Sequence, residues 1–107
     1  MFKFIKNLFY PEQKMLARSS KWPKTRETHL EKEPTCQACG GKKDLSVHHI
    51  IPYHLDKDKE LDPTNLITLC EHNHCHLTFG HLFLWESHNP KVQEDVAAWF
   101  IKVLKRP

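Results

Sequence analysis

The sequence predicts a small α+β domain, stapled by metal and flanked by N- and C-terminal helices. Three observations carry this prediction. Four cysteines, Cys36, Cys39, Cys70 and Cys75, fall in two pairs, with Cys70 31 positions after Cys39. Nine histidines are present, and seven of them lie between His48 and His81. Two short apolar runs of strand character, DLSVHHIIP (44–52) and NLITLC (65–70), sit between segments with helical patterning.

A chain of 107 residues is one domain's worth. At this size roughly 60–70% of the unfolded surface can be buried, so the core is modest and a staple helps it. A hydrophobic fraction of 39%, a charged fraction of 27% and only three glycines exclude a collagen-like chain and argue against wholesale disorder. No apolar run approaches the roughly 18 residues of a membrane span.

The start, MFKFIKNLFYPEQK, does not read as a secretory signal, because Lys3 and Lys6 interrupt its apolar run. A reducing, cytoplasmic location is therefore expected, where a Cys-x-x-Cys pair is more often a metal site than a disulfide. Phe2, Ile5, Leu8 and Phe9 share one helical face, which reads as a short helix packing on the domain. Residues 1–20 are taken as this helix and a linker, and 21–107 as the functional domain. Net charge is +3, but residues 1–43 carry +6 and residues 44–107 carry −3. A basic front half suits a phosphate backbone, and Lys21, Lys24 and Arg26 are the expected contacts.

Residues 22–32 (WPKTRETHLEK) predict a helix, with Pro23 in the first turn and Trp22, Arg26, His29 and Leu30 on one face. PTCQACGGKK (34–43) is a tight turn. DLSVHHIIP is a strand ended by Pro52, and the polar residues 53–64 form a loop. NLITLC is a second apolar run, of strand or buried-turn type, and HCHLTFGHLFLW (74–85) is helical in part. Asn89 caps a last helix of about 90–105, with Pro90 at its first position. Its stripe of Val92, Val96, Trp99, Phe100 and Val103 is assigned to the core.

Cys36-Gln-Ala-Cys39-Gly40-Gly41 has the form of a metal knuckle. Two thiolates three positions apart reach one tetrahedral ion at about 2.3 Å each, and glycine permits the positive-φ backbone such a turn needs. The second pair, Cys70-Glu-His-Asn-His-Cys75, is irregular, and His72 or His74 could replace Cys75; Cys75 is preferred. Four thiolates would close a structural zinc site. Zinc binding in finger peptides is worth roughly 10–16 kcal/mol, comparable to the whole stability of a typical domain.

His48 and His49 form the second constellation. Two histidines among β-branched residues are costly to bury without partners. VHHIIP, then LDPTNLITLC, then Cys75-His76, with cysteines before and inside, resembles the HNH nuclease family over Cys36 to about His81. The resemblance implies a ββα-metal (His-Me finger) core of two antiparallel strands, a helix and one divalent ion. It makes His49 the general base and Asn65 the residue bracing the loop through backbone hydrogen bonds. It makes His48 and His76 ligands of the catalytic metal, with His81 a further ligand. On a regular helix, however, His81 would stand about 140° round from His76. Neighbours in an ideal strand also face opposite ways, so His48 and His49 should lie at a strand end or bulge.

The implied function is metal-dependent endonucleolytic hydrolysis of DNA. Histidine ligands admit zinc, nickel or manganese, and magnesium with added waters. No small-molecule cofactor and no membrane partner is expected. The alternatives are a catalytically silent zinc module that binds nucleic acid and a zinc-stapled protein-interaction module.

Overall fold

In the computed structural model, residues 18–104 are described. The expected N-terminal helix, with Phe2, Ile5, Leu8 and Phe9, lies outside the described residues. Among those described, no helix is long and apolar enough to cross a membrane.

The first helix, α1, spans Trp22–Lys32, with the bounds the sequence predicted and Pro23 in its first turn. Ser19 organises its start: its carbonyl accepts the Trp22 N–H and its hydroxyl accepts the Lys21 N–H. No α1 residue is fully buried. The helix is held instead by specific contacts. Arg26 donates to the Leu45 carbonyl, and the Trp22 ring packs on His49 with centroids 4.5 Å apart.

Strands β1 (Leu45–His49) and β2 (Leu66–Cys70) form a two-stranded antiparallel sheet, with Leu45 opposite Cys70 and His49 opposite Leu66. Every β2 residue is buried. Its outer edge does not stay open: the Thr68 N–H donates to the Glu33 carboxylate and the Thr68 carbonyl accepts from the Gln37 N–H. Capping an edge strand in this way removes a template for unwanted pairing. The sequence predicts β1 running to Pro52, but it ends at His49. Asn65 causes this. Its side chain accepts the Ile51 N–H at 2.8 Å and donates to the Ile51 carbonyl at 3.1 Å, so pairing passes from backbone to side chain.

The loop between the strands contains two short 3₁₀ turns, Lys57–Lys59 and Pro63–Asn65, each capped by an aspartate side chain, Asp56 and Asp62. After β2 the expected partial helix is a single π-helical turn, His76–Gly80. The last helix, α2, spans Val92–Trp99 and widens into a π-helical turn at Phe100–Leu104. Asn89 does accept a cap bond, from the Lys91 N–H, but its amide also donates to Phe79 O and Asp95. Tied to both elements, it leaves Pro90 in a turn, and the helix starts two residues later than expected. Val92 and Val96 are buried and Phe100 is half-buried. Trp99 is 40% exposed, leaning on Phe79, so it is a flank of the core and not a member. The Val103 side chain lies outside the described set.

The core consists of Ala38, Ile50, Ile67, Leu69, Val92 and Val96 packed around Cys36, Cys70 and Cys75. Cysteines thus occupy the positions where larger apolar side chains would otherwise supply stability.

Candidate metal centres and active site

The four cysteines converge at one point. Their sulfurs all lie within 4.8 Å of one another, and Cys39 Sγ is 3.6 Å from Cys70 Sγ. A disulfide would bring sulfurs to about 2.05 Å. Metal–sulfur bonds of about 2.3 Å place tetrahedral ligands about 3.8 Å apart, close to the Cys39–Cys70 separation. The knuckle is built by Gly40, at φ +76°, whose N–H donates to the Cys36 carbonyl, and by the Cys36 N–H bonding back to Gly41. Cys70 enters from the end of β2. Asn73 closes the other side, its N–H donating to Cys70 Sγ and its amide to Cys39 Sγ. His72 and His74 are exposed, and Cys75 completes the group.

These thiols do not share one chemistry. Burial raises Cys39, but hydrogen bonds from Asn73, the Gly41 backbone and the neighbouring thiols outweigh it and bring it to about 7. Burial pushes Cys36 and Cys75 upward, and for Cys75 the neighbouring Cys36 adds to the effect. Four thiolates together need a counter-charge, and the donor set fits zinc.

His48, His76 and His81 form a second cluster, with one donor nitrogen from each within 4.8 Å of the others. His48 Nδ1 is 3.0 Å from His76 Nε2, and His76 Nε2 is 3.2 Å from His81 Nε2. The outer nitrogens are committed. His76 Nδ1 meets the Glu71 carboxylate at 3.0 Å, and His81 Nδ1 donates to the Ser87 carbonyl at 2.7 Å. Each outer partner accepts only, so in the neutral rings the proton sits on Nδ1. Two Nε2 lone pairs then face each other with no hydrogen between them. This repulsive arrangement becomes favourable when a cation takes both lone pairs. His48 Nε2 is also buried without a partner among the described residues. Outer hydrogen bonds of this kind orient and strengthen imidazole ligands.

Burial depresses all three rings. His48 is brought to about 2, with the charges of His76 and His81 adding to desolvation. His76 is lowered by burial against the opposing pull of Glu71, and His81 by burial against the Ser87 carbonyl. Neutral imidazole is the form that binds a metal.

The π turn is what brings His81 to the cluster. A regular α-helix would hold it well round from His76, but the wider turn absorbs one extra residue per revolution. Gly80, inside that turn, faces the His48 ring so closely that a Cβ there would sit 3.0 Å from it. Beyond His81, Leu82 and Phe83 adopt positive φ, and the exposed run Leu82–Trp85 folds back. The Trp85 ring packs on His76 and His81 at 5.1 and 4.9 Å.

His48 and His49 are the last two residues of β1 and point to different neighbours, as strand alternation requires. His49 is buried on the α1 side. Its Nε2 donates to the Glu60 carbonyl at 2.9 Å, which leaves the lone pair on Nδ1. Burial lowers this ring to about 4, against the Glu60 carbonyl and with the help of the Arg18 charge. Asn65 is buried and, besides Ile51, bonds the Lys59 carbonyl, so one side chain ties the end of β1 to the intervening loop.

Residues 36–81 match the HNH endonuclease family. The matched HNH segment covers a little under half the chain and contains both clusters, His49 and Asn65. No curated protein and no solved structure matches the chain.

Two site residues carry no sequence signal. Glu60 sits in the polar 53–64 loop, yet it is 4% exposed and its carboxylate accepts the Ser19 N–H. Glu71, between Cys70 and His72, fixes the tautomer of His76. Of the expected phosphate contacts, Lys21 and Lys24 are exposed, with Lys24 3.9 Å from Glu27. Arg26 is spent on the Leu45 carbonyl.

Proposed function

We propose that this protein is a metal-dependent endonuclease that hydrolyses DNA phosphodiester bonds. The observation that carries the reading is the convergence of three imidazole nitrogens, oriented by Glu71 and Ser87, in an HNH segment that also carries His49. His48, His76 and His81 hold the catalytic divalent ion, and Cys36, Cys39, Cys70 and Cys75 hold structural zinc. Residues 21–107 are the nuclease domain, acting in the cytoplasm, where reduced cysteines can keep zinc.

His49 is the general base. Its Nε2–H is fixed on the Glu60 carbonyl, so Nδ1 is the atom that accepts the proton of the attacking water. Asn65 holds the strand end and the loop so that His49 and Glu60 keep this geometry. Three protein ligands leave coordination positions open, and an ion bound there supplies charge stabilisation to the phosphate and the leaving 3′ oxygen. The four-cysteine site has no open position and takes no part in the chemistry.

A supercoiled-plasmid assay across magnesium, manganese, nickel and zinc tests this, with His49→Ala in parallel. Metal-dependent nicking or linearisation is expected, falling by about 10²–10⁴-fold in the variant. Folded, zinc-loaded protein that binds DNA and never cuts it would establish the silent binding module instead.

A further inference from the structure

The Nδ1 lone pair of His49 is not open to water. Arg18 Nη1 lies 3.3 Å from it. A guanidinium only donates and the Glu60 carbonyl only accepts, so the ring is held from both sides in one tautomer with its basic nitrogen covered. Arg18 is not there by accident of a loose surface chain. Its guanidinium carbon is 5.3 Å from the Trp22 ring centroid and 5.7 Å from that of Tyr53. The next residue, Ser19, is clamped by its N–H on both carboxylate oxygens of buried Glu60, at 3.1 and 3.2 Å. Glu60 therefore fixes the base through its carbonyl and fixes the chain bearing Arg18 through its carboxylate.

We infer that Arg18 is the binding residue for the substrate phosphate, and that phosphate uncovers the base by drawing Arg18 off His49. The inference rests on the nuclease reading and adds a residue that lies outside the matched segment. A phosphodiester oxygen carries negative charge and accepts two parallel N–H bonds from a guanidinium, whereas a neutral imidazole offers one lone pair. The exchange therefore favours phosphate. The two aromatic faces keep the guanidinium flat and close to His49 while it turns. Without substrate, water is kept from the basic nitrogen. With substrate, the same movement seats the phosphate and frees the lone pair.

The test compares wild type, Arg18→Ala and Arg18→Lys by plasmid-cleavage kinetics and by binding of a labelled duplex across a salt series, with Lys91→Ala as a charge control. Arg18→Ala is expected to lower kcat/KM by about 10–100-fold, the worth of a charge-assisted hydrogen bond, and to reduce the salt slope by about one. Arg18→Lys should restore the slope but leave kcat/KM about 10-fold down, since lysine returns the charge without the fork. Lys91→Ala should leave kcat/KM at the wild-type value.

Wild-type kcat/KM and slope in Arg18→Ala would overturn the inference. So would a fall in melting temperature matching the loss of activity in both Arg18 variants with the slope unchanged, because that is a packing role. Failure of the nuclease reading looks different. Wild type would then not cut under any metal, while the slope difference between wild type and Arg18→Ala would still decide whether Arg18 binds phosphate.

Discussion

The cysteine cluster and the histidine cluster are joined by the single peptide bond between Cys75 and His76, yet they are built for different ends. The cysteines have four donors, three of them buried, and second contacts that come from one short turn around Asn73. The histidines have three donors, two of them only half-buried, and second contacts from Glu71 and the Ser87 carbonyl. Donor number decides coordination, and outer hydrogen bonds decide which nitrogen is presented. A closed tetrahedron can only hold a fold together. An incomplete set of donors leaves room for a reacting group.

The largest effect that can separate the two belongs to the cysteines. Cys39→Ser should release zinc and abolish cooperative unfolding, since zinc in such a site is worth roughly as much as the whole stability of a typical domain. Metal analysis together with thermal melting checks this, and an unchanged melting temperature would remove the staple. His76→Ala should behave in the opposite way. It should keep the cysteine-bound zinc and the fold, lose the second equivalent of metal, and lose cutting. Unfolding on this substitution would make the histidine cluster structural too and erase the distinction.

Smaller changes sharpen the comparison. Glu71→Gln should weaken metal affinity at the histidines by about 10–100-fold and leave zinc at the cysteines unchanged, read by competition titration. Gly80→Ala puts a methyl group 3.0 Å from the His48 ring. It should displace that ligand, with a loss of affinity that His76 and His81 only partly hide.

The smallest effect is in pH. His49 is held at about 4 in the fold, below its ordinary value of 6.5. The unfolded chain therefore takes up a proton first. The stability His49 contributes is complete above pH 6.5 and is lost as pH falls toward 4, by up to about 1.4 kcal/mol per pH unit. Denaturation of zinc-loaded wild type and His49→Asn between pH 7 and pH 5 should show a shallower decline in the variant. Equal slopes would place His49 in contact with water.

Much of this was legible along the chain. The bounds of α1, the apolar run of β2 and the Cys-x-x-Cys knuckle rest on local spacing, and the set His48, His49, Asn65, His76 rests on the resemblance to HNH nucleases. A turn, a strand face or a ligand pair is encoded within a few residues. The helix after Cys75 was not legible, because α and π turns place the same residues differently and packing against His48 chooses between them. Trp99 belonged to a stripe by periodicity, but periodicity does not say how wide the facing surface is, and that surface ends at Val92, Val96 and Phe100.

By itself, then, the sequence determined which donors exist and, for the cysteine knuckle and the β1 histidines, the local structure that carries them. The tertiary structure alone decided how those donors face one another. Glu60 meets Ser19 across 41 residues, Arg18 meets His49 across 31, and His76 meets His48 across 28. Contacts at such separations leave no periodic trace, because they form only when the sheet, the π turn and α1 are packed together. Through them a carboxylate from a polar loop comes to brace the chain beside the His49 ring, and an arginine that reads as linker comes to cover that ring.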